Sequence, residues 1–133
     1  MYFTSKLYRT GGDKMEHKFV WFELAYDNLA AAKKFYQEMF GWEMNEMGGY
    51  VMVTAGAAKE LGMGIKENRG KGHVPSHWTP YVSVEDVKVA TAKALKLGAK
   101  VLHDTHETPN GIVSIVFDPT GAPLALWSPL PKK

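Results

Sequence analysis

The sequence contains no cysteine among its 133 residues. This absence excludes a disulfide framework, a thiolate nucleophile and any metal site with cysteine ligands. The sequence also lacks an excess of either sign of charge, because 16 basic and 14 acidic side chains give a formal net charge of only +2. Proteins that bind nucleic acid or an anionic membrane usually carry a basic patch. We therefore expect no nucleic-acid partner and no membrane partner, and we expect a cytoplasmic protein.

The first 14 residues contain no long apolar run, so we expect neither a signal peptide nor a membrane span there. Residues 1–14 end in Gly-Gly-Asp-Lys, a composition typical of turns and linkers. We interpret residues 1–16 as an N-terminal extension, either an appendage or an upstream segment before a natural start at Met15. An ordered edge strand is the alternative. Residues 17–131 are then expected to form one domain around a single core.

Two common catalytic motifs are absent. The glycine-rich stretch at residues 62–72 lacks the Lys-Ser or Lys-Thr ending of a phosphate-binding loop, and no helix is predicted to follow it. A serine nucleophile elbow of the Gly-x-Ser-x-Gly type is missing too. Phosphate cradling by a glycine-rich loop and serine hydrolase chemistry are therefore not indicated.

None of the five histidines stands in a metal-binding motif. His73 and His77 are four residues apart, but the linker around Pro75 separates them, so they do not share a helix face. The stretch HDTHET at residues 103–108 is predicted to be a polar surface loop. Its possible donors for an adventitious metal ion are His103, Asp104, His106 and Glu107.

The first half of the chain predicts a strand followed by a helix. Residues 19–26, FVWFELAY, are aromatic and β-branched, which favours a strand. Residues 29–40, LAAAKKFYQEMF, have the apolar spacing of one helix face. Asp27 or Asn28 is the predicted N-cap of this helix, and Gly41 is its predicted end.

The second half repeats this pattern. Residues 78–84, WTPYVSV, predict a strand, and residues 87–97, VKVATAKALKL, predict a helix. Asp86 is the expected N-cap and Gly98 the expected end. After each helix comes a similar strand, turn and strand, at residues 48–65 and 110–127.

Each half therefore reads as strand, helix and about three strands, which is a βαβββ module. We place module one at residues 17–67, a linker rich in glycine and charge at 68–76, and module two at 77–131. A module this small cannot bury its apolar face alone, so the two are expected to pack together.

A doubled βαβββ unit resembles the vicinal oxygen chelate superfamily, which includes glyoxalase I, bleomycin-resistance proteins and extradiol dioxygenases. The resemblance lies in WFELAYDNLAAAKKFYQEMFGWE, in its weaker copy YVSVEDVKVATAKALKLGAKVL and in the closing FDPTGAPLALWSP, so it covers nearly the whole chain. It implies an α+β fold of two tandem βαβββ modules with curved mixed sheets that enclose a cleft. It also implies a homodimer. It says little about chemistry, because one fold hosts unlike functions.

In metal-using members of this superfamily, ligands project from the first and last strand of each half. None of the residues that the resemblance places there is a histidine or a carboxylate. They are Trp21, Met63, Thr79 and Ala125. Shifts of two residues, which keep a side chain on the same face, add only Glu23 and His77. A divalent cation of this kind needs three or four converging ligands, so we predict no metal and no cofactor.

Glu23 is the strongest single candidate for a functional residue. It lies in an apolar strand on the same face as Trp21, where an ionised carboxylate is costly unless it is paired. Glu23 could be a general base, or it could anchor a cationic group of a ligand. The alternative is a carboxylate near the strand end that reaches water or a lysine.

The predicted ligand-binding face is rich in aromatic side chains, which suit a flat or apolar ligand. Met52 and Met63 could add an adaptable wall. Phe22 and Trp78 have the opposite phase and are expected to pack beneath the helices. The predicted ligand-binding residues are Trp21, Glu23, Met52, Met63, His77, Thr79, Tyr81, Ala125 and Trp127.

The predicted function is metal-independent binding of a small-molecule ligand, by resemblance to bleomycin-resistance proteins, which sequester a ligand without chemistry. The alternative is a lyase, isomerase or hydrolase that acts on a small carbonyl compound with Glu23 as general base. A ligand-sensing or partner-binding module without turnover is a third hypothesis. An exposed Glu23 outside the cleft would remove the support for an enzyme.

Overall fold

The computed structural model describes residues 17–56, 60–70 and 74–131. Two compact units are present: the described parts of Trp21–Thr79 form one, and those of Met1–Val20 and Pro80–Lys133 form the other. The predicted N-terminal extension and His73 lie outside the described residues. Neither helix in the described part of the chain is long and apolar enough to cross a membrane.

The first half of the chain forms one helix and four strands. They are β1 (Phe19–Tyr26), α1 (Leu29–Phe40), β2 (Glu43–Met47), β3 (Tyr50–Ala55) and β4 (Glu60–Glu67). The strand order is β2-β3-β4-β1. β3 is antiparallel to both of its neighbours, whereas β4 is parallel to β1.

Helix α1 begins and ends at the predicted signals. The Asn28 side chain accepts a hydrogen bond from the backbone N–H of Ala31 at 3.0 Å, which identifies Asn28 as the N-cap. Gly41 adopts a left-handed φ of 67° and donates its N–H to the carbonyl of Gln37. Beneath the helix, the core of the unit consists of Leu24, Val51, Val53 and Ile65, surrounded by partly buried apolar side chains.

The second half forms the same pattern. It contains β5 (His77–Ser83), α2 (Val87–Lys96), β6 (Lys100–Thr108), β7 (Gly111–Phe117) and β8 (Pro123–Ser128). Its strand order is β5-β8-β7-β6, with β7 antiparallel to both neighbours and β5 parallel to β8. The predicted α+β fold of two βαβββ modules is therefore confirmed.

Helix α2 is joined to its sheet by apolar contacts and by one polar pair. Asp86 caps the helix, since its side chain accepts from the N–H of Val89 at 3.1 Å. The Thr91 hydroxyl on α2 donates to the carbonyl of Val87 at 2.6 Å, and its oxygen lies 2.7 Å from the Ser114 hydroxyl on β7, so both buried hydroxyls have partners. The apolar core of this unit is Val84, Val87 and Leu126, with Ala90, Ile112 and Leu124 around it.

The prediction that residues 103–108 form a polar loop is wrong, because they belong to β6. This strand does not show the usual alternation of polar and apolar residues, since its pairing with β7 is interrupted twice. Between the pairs Val101–Val116 and His106–Val113, β6 advances five positions while β7 advances three. Two extra residues are thus accommodated in bulges, which disguise the strand in the sequence.

Candidate functional site

Strand pairing places a buried carboxylate on one face of the sheet in the first unit. Glu23 of β1 pairs with Gly64 of β4, and Gly64 pairs with Met52 of β3. Paired residues point to the same face, and successive residues along a strand alternate. Six of the residues on this side are Trp21, Glu23, Tyr50, Met52, Gly64 and Lys66, and we call these six the Glu23 face.

Tyr50 links the two most deeply buried polar groups of this face. Its hydroxyl donates to Glu23 Oε2 at 2.8 Å and accepts from the indole Nε1 of Trp21 at 2.9 Å. The exposed fractions of Glu23 and Trp21 are only 5% and 2%. We call this arrangement the Trp21–Tyr50–Glu23 relay. It holds the carboxylate in one orientation and offsets part of the cost of its burial.

Tyr50 is a protonated donor in this relay. Burial raises the pKa of Tyr50 far above its ordinary value, and the negative charge of Glu23 and the hydrogen bond to it act in the same direction. The hydrogen bond from Trp21 opposes them more weakly. The phenol of Tyr50 therefore keeps its proton across the physiological pH range, and it donates a hydrogen bond to Glu23 over that whole range.

Gly64 makes room for the hydroxyl of Tyr50. A Cβ atom built on Gly64 would overlap the hydroxyl and the ring of Tyr50. The close approach of the Tyr50 side chain to the β4 backbone is therefore possible only because residue 64 has no side chain.

Lys66 brings a positive charge to the same face. It is half-buried, and this burial lowers its pKa, with a smaller contribution of the same sign from Arg69. The Glu23 carboxylate acts in the opposite direction and raises it. Lys66 and Glu23 therefore interact electrostatically, which gives the face one charge of each sign.

The prediction that Met63 shares the face of Glu23 is wrong. Because Glu23 pairs with Gly64, Met63 pairs with Phe22 and points to the opposite side, where it packs against the core beneath α1. Met52, in contrast, is buried and lies on the Glu23 face. The error is a slip of one residue in the register of β4, which moves a side chain to the other face.

The aromatic residues predicted to have the opposite phase behave differently from each other. Trp78 packs against the core beneath α1 and donates its indole N–H to the hydroxyl of Tyr36 at 3.1 Å, as expected. Phe22 is 45% exposed, so it is not buried beneath a helix as predicted.

Among the polar candidates, His77 has its Nδ1 2.7 Å from the carbonyl of Pro75, and Thr79 is buried.

In the second unit, the pairing brings three predicted residues to one face of the sheet. Tyr81 pairs with Ala125, and Ser83 pairs with Trp127, so Tyr81, Ala125 and Trp127 share a side. The indole N–H of Trp127 donates to the carbonyl of Asn110 at 3.0 Å. That bond satisfies the indole within the protein, and contact of these residues with a ligand stays a prediction, as does the cleft between the modules.

The side chains at the predicted ligand positions do not fit the metal site of the superfamily that the sequence resembles. Glu23 is the one carboxylate among the six residues of the Glu23 face, and its Oε2 is bonded to Tyr50. The fully buried Ala125 supplies no ligand in the second unit. Within the ranges that the structure describes, no three His, Cys, Asp or Glu side chains come together as a metal site. A divalent ion would lack the converging donors that it needs.

Tyr50 is the functional candidate that the sequence reasoning missed. It lies 27 positions from Glu23, and nothing in the local sequence connects the two. The signal for it in the sequence is the alternation along β3, since Tyr50 stands two residues before Met52, which the sequence places on the ligand-binding face.

Comparison with known proteins agrees with this fold. The model of the bleomycin resistance protein-like N-terminal family matches residues 18–56. The protein CFP32 of Mycobacterium bovis, which is named as a glyoxylase, is 29% identical over 114 residues. The match covers 80% of this chain and 44% of that protein. The anthracycline biosynthesis protein DnrV of Streptomyces peucetius is 27% identical over 124 residues, covering 80% and 45%. The chain thus spans less than half the length of these relatives.

Among solved structures, the Mn(II)-bound glyoxalase from Novosphingobium aromaticivorans has a similar fold. It superposes with a TM-score of 0.56 at 17% identity, covering 84% of this chain and 38% of that one. At this identity the similarity concerns the fold alone. Together with the family model and the curated relatives, this similarity supports the resemblance to the vicinal oxygen chelate superfamily.

Proposed function

We propose that the protein binds a small organic molecule at the Glu23 face and that it does so without a metal ion. The observation that carries this proposal is the Trp21–Tyr50–Glu23 relay. A core that needed only stability would favour an apolar side chain at residue 23, because burial of a carboxylate is costly. Instead, a 2.8 Å hydrogen bond from Tyr50, which is itself held by a 2.9 Å bond from Trp21, keeps the buried carboxylate in a fixed position. Such a group gives a binding face its selectivity.

The geometry of Glu23 favours a fixed charge over a mobile general base. A general base must present an oxygen to the substrate and take up its proton. The hydroxyl of Tyr50 already donates to Oε2 at 2.8 Å, so one of the two carboxylate oxygens is engaged within the protein. A ligand with a cationic or hydrogen-bond-donating group would complement this carboxylate. Bleomycin and anthracyclines are the compounds in the names of the matching family and of DnrV, so both are candidates for such a ligand.

A thermal-shift screen with bleomycin, an anthracycline and a neutral aromatic compound tests this proposal. A ligand at about a hundred times its Kd adds about 2.7 kcal/mol to the free energy of unfolding. For an amine ligand, Glu23→Gln should weaken binding by about 1.5–3 kcal/mol, the value of a charge-assisted hydrogen bond, whereas a neutral ligand should be little affected. Glu38→Gln on the exposed surface of α1 is the matched control.

Two results would contradict the proposal. One is that no compound of the screen stabilises the protein. The other is that Glu23→Gln and Glu38→Gln bind an amine ligand with the same affinity as the parent protein.

The second candidate function is catalysis. The protein would be a lyase, isomerase or hydrolase that acts on a small carbonyl compound, with Glu23 as the general base. Its support is the burial of Glu23, since an exposed carboxylate would have removed this hypothesis. Here Glu23→Gln should leave binding nearly intact and lower turnover by about a hundredfold or more. Equal turnover of parent and variant would reject it.

We also propose a cytoplasmic location and a homodimer without nucleic-acid or membrane partners. The support is the near-balanced charge, the absence of cysteine and the resemblance to the superfamily. Cell fractionation tests the location, and sedimentation tests the dimer.

A further inference from the structure

The bulges of β6 bring two histidine rings into contact. In a regular strand, residues three positions apart point to opposite faces. His103 pairs with Ile115 and His106 with Val113, which are two positions apart on β7, so the extra residue between the histidines returns both to one face. Their ring centroids lie 4.1 Å apart, with the ring planes inclined at 64°.

The hydrogen bond of His106 determines which of its nitrogens can bind a metal ion. His106 Nδ1 lies 3.0 Å from the backbone carbonyl oxygen of Asp104. Because a carbonyl oxygen can only accept, Nδ1 carries the proton in this bond, and the lone pair is on Nε2. A histidine whose second nitrogen donates to a backbone carbonyl is the usual arrangement of a metal ligand, since the bond fixes the tautomer and the ring orientation.

The spacing of the two rings suits a shared ion. Metal–nitrogen bonds of about 2.0–2.1 Å place two ligating nitrogens on one ion roughly 3 Å apart. The two ring centroids are 4.1 Å apart, so rotation about the side-chain bonds can bring one nitrogen of each ring to that separation. The neighbouring carboxylates are placed differently, because Asp104 Oδ1 accepts from the N–H of Thr105 at 2.7 Å and Glu107 pairs with Ile112 on the opposite face.

We propose that His103 and His106 form a two-histidine site for a divalent transition-metal ion of the imidazole-preferring class, Zn²⁺, Ni²⁺ or Cu²⁺. Water completes the coordination, since no group of three His, Cys, Asp or Glu side chains among the described residues includes this pair. The site uses none of the residues of the Glu23 face and does not depend on the function proposed for it.

Calorimetric titration of the full chain with NiCl₂ tests the site. The parent protein should show one Ni²⁺ bound at this pair, and His103→Gln and His106→Gln should each weaken that binding by about tenfold or more, because each removes one of two ligands. His77→Gln is the matched control. His77 also has its Nδ1 close to a backbone carbonyl, that of Pro75, at 2.7 Å, so the comparison isolates the effect of the paired rings.

A second measurement keeps the test independent of the variants' folding. Substoichiometric Cu²⁺, which is paramagnetic, should broaden the ring-proton NMR signals of His103 and His106 in the unaltered protein before those of His77. Equal Ni²⁺ affinity in all variants, the same loss in His77→Gln, or early broadening of histidines other than the pair would overturn the proposal. If a variant melts early in circular dichroism without metal, the NMR result decides.

Discussion

At the scale of single residues, one hydroxyl group organises the candidate site. Tyr50 donates to Glu23 and accepts from Trp21, so it satisfies a buried carboxylate and a buried indole at once. Removing one partner of a buried hydrogen bond costs more than the bond itself contributes, because the remaining group stays unsolvated. The relay is therefore sensitive to changes of a few atoms.

Tyr50→Phe removes this hydroxyl and leaves the ring in place. We expect the free energy of unfolding to fall by about 1–3 kcal/mol, because Glu23 loses a donor and Trp21 loses an acceptor. Urea unfolding of the single variant, of Glu23→Gln and of the double variant forms a cycle. The coupling should be about 0.5–3 kcal/mol, as for residues in one hydrogen-bond network. Strictly additive effects would show that Tyr50 and Glu23 do not stabilise each other.

Gly64→Ala places a methyl group where the Tyr50 hydroxyl lies. The ring must shift away from Glu23, so we expect destabilisation by about 1–3 kcal/mol, the usual cost of overpacking, and weaker binding of any ligand of the Glu23 face. Gly62→Ala is the matched control on the same strand, because a Cβ there meets nothing within 4 Å. Its free energy of unfolding should change by less than about 0.5 kcal/mol. Similar losses in both variants would contradict the role of Gly64.

The sequence identified part of this site. Glu23 and Trp21 could be assigned to one face because they are two residues apart in a clearly apolar strand. Tyr50 could not be linked to them, since the contact depends on the register between β1, β4 and β3. Met63 was assigned to the wrong face by a one-residue slip in the same register. Local periodicity gives the face of a residue within its strand, whereas the register is a property of the folded sheet.

At the scale of whole elements, the turn before β8 depends on Asp118. Its Oδ1 accepts from the N–H and the hydroxyl of Thr120, at 2.7 and 2.6 Å, and from the N–H of Ala122 at 3.0 Å. Gly121, with a φ of 92°, allows the chain to reverse. The side-chain hydrogen bond from Thr120, followed by the backbone one from Ala122, lowers the pKa of Asp118 below its ordinary value of 3.8.

The pH dependence of Asp118→Asn follows from this shift. A carboxyl group with a depressed pKa in the folded state contributes stability above its unfolded pKa and loses that contribution as the pH falls through its folded pKa. The parent protein should therefore melt at a higher temperature than Asp118→Asn at pH 7, and the gap should close as the pH falls below about 4. Melting curves from pH 7 to pH 2 measure this gap.

Asp104→Asn is the control for this experiment, because the Asp104 carboxylate accepts from one backbone N–H, that of Thr105. It should melt close to the parent protein. A gap for Asp118→Asn that does not change with pH would show that the charge of Asp118 is not what stabilises the turn.

The sequence predicts elements that have strong local signals, such as capping residues. It does not predict elements whose structure depends on pairing with a neighbouring strand. Helix α1 has its predicted limits because Asn28 and Gly41 act at its two ends through local hydrogen bonds. Strand β6 was predicted to be a loop at HDTHET, since bulges and polar side chains remove the alternation that marks a strand. Its pairing with β7, rather than its composition, makes it a strand.

At the scale of the whole molecule, helix α1 presents an apolar surface that its own module does not cover. None of its residues is buried. Phe35, Met39 and Phe40 are 55%, 58% and 54% exposed, and the ring of Tyr36 lies between the two phenylalanines, at centroid distances of 5.0 and 6.3 Å. Contiguous exposed apolar side chains mark interaction surfaces more often than single ones do. We predict that a second copy of the chain covers this surface in the expected homodimer.

Sedimentation velocity over a range of protein concentrations tests this prediction. The parent protein should sediment as a dimer, and the double change Phe35→Glu and Met39→Glu should shift it to a monomer, because the association would bury two unpaired carboxylates. Glutamate has good helix propensity, so α1 should persist in far-ultraviolet circular dichroism. Val89→Glu is the matched control, since Val89 is 65% exposed on α2. A parent protein that remains monomeric at every concentration, or a control that dissociates equally, would show that this surface of α1 does not join two copies.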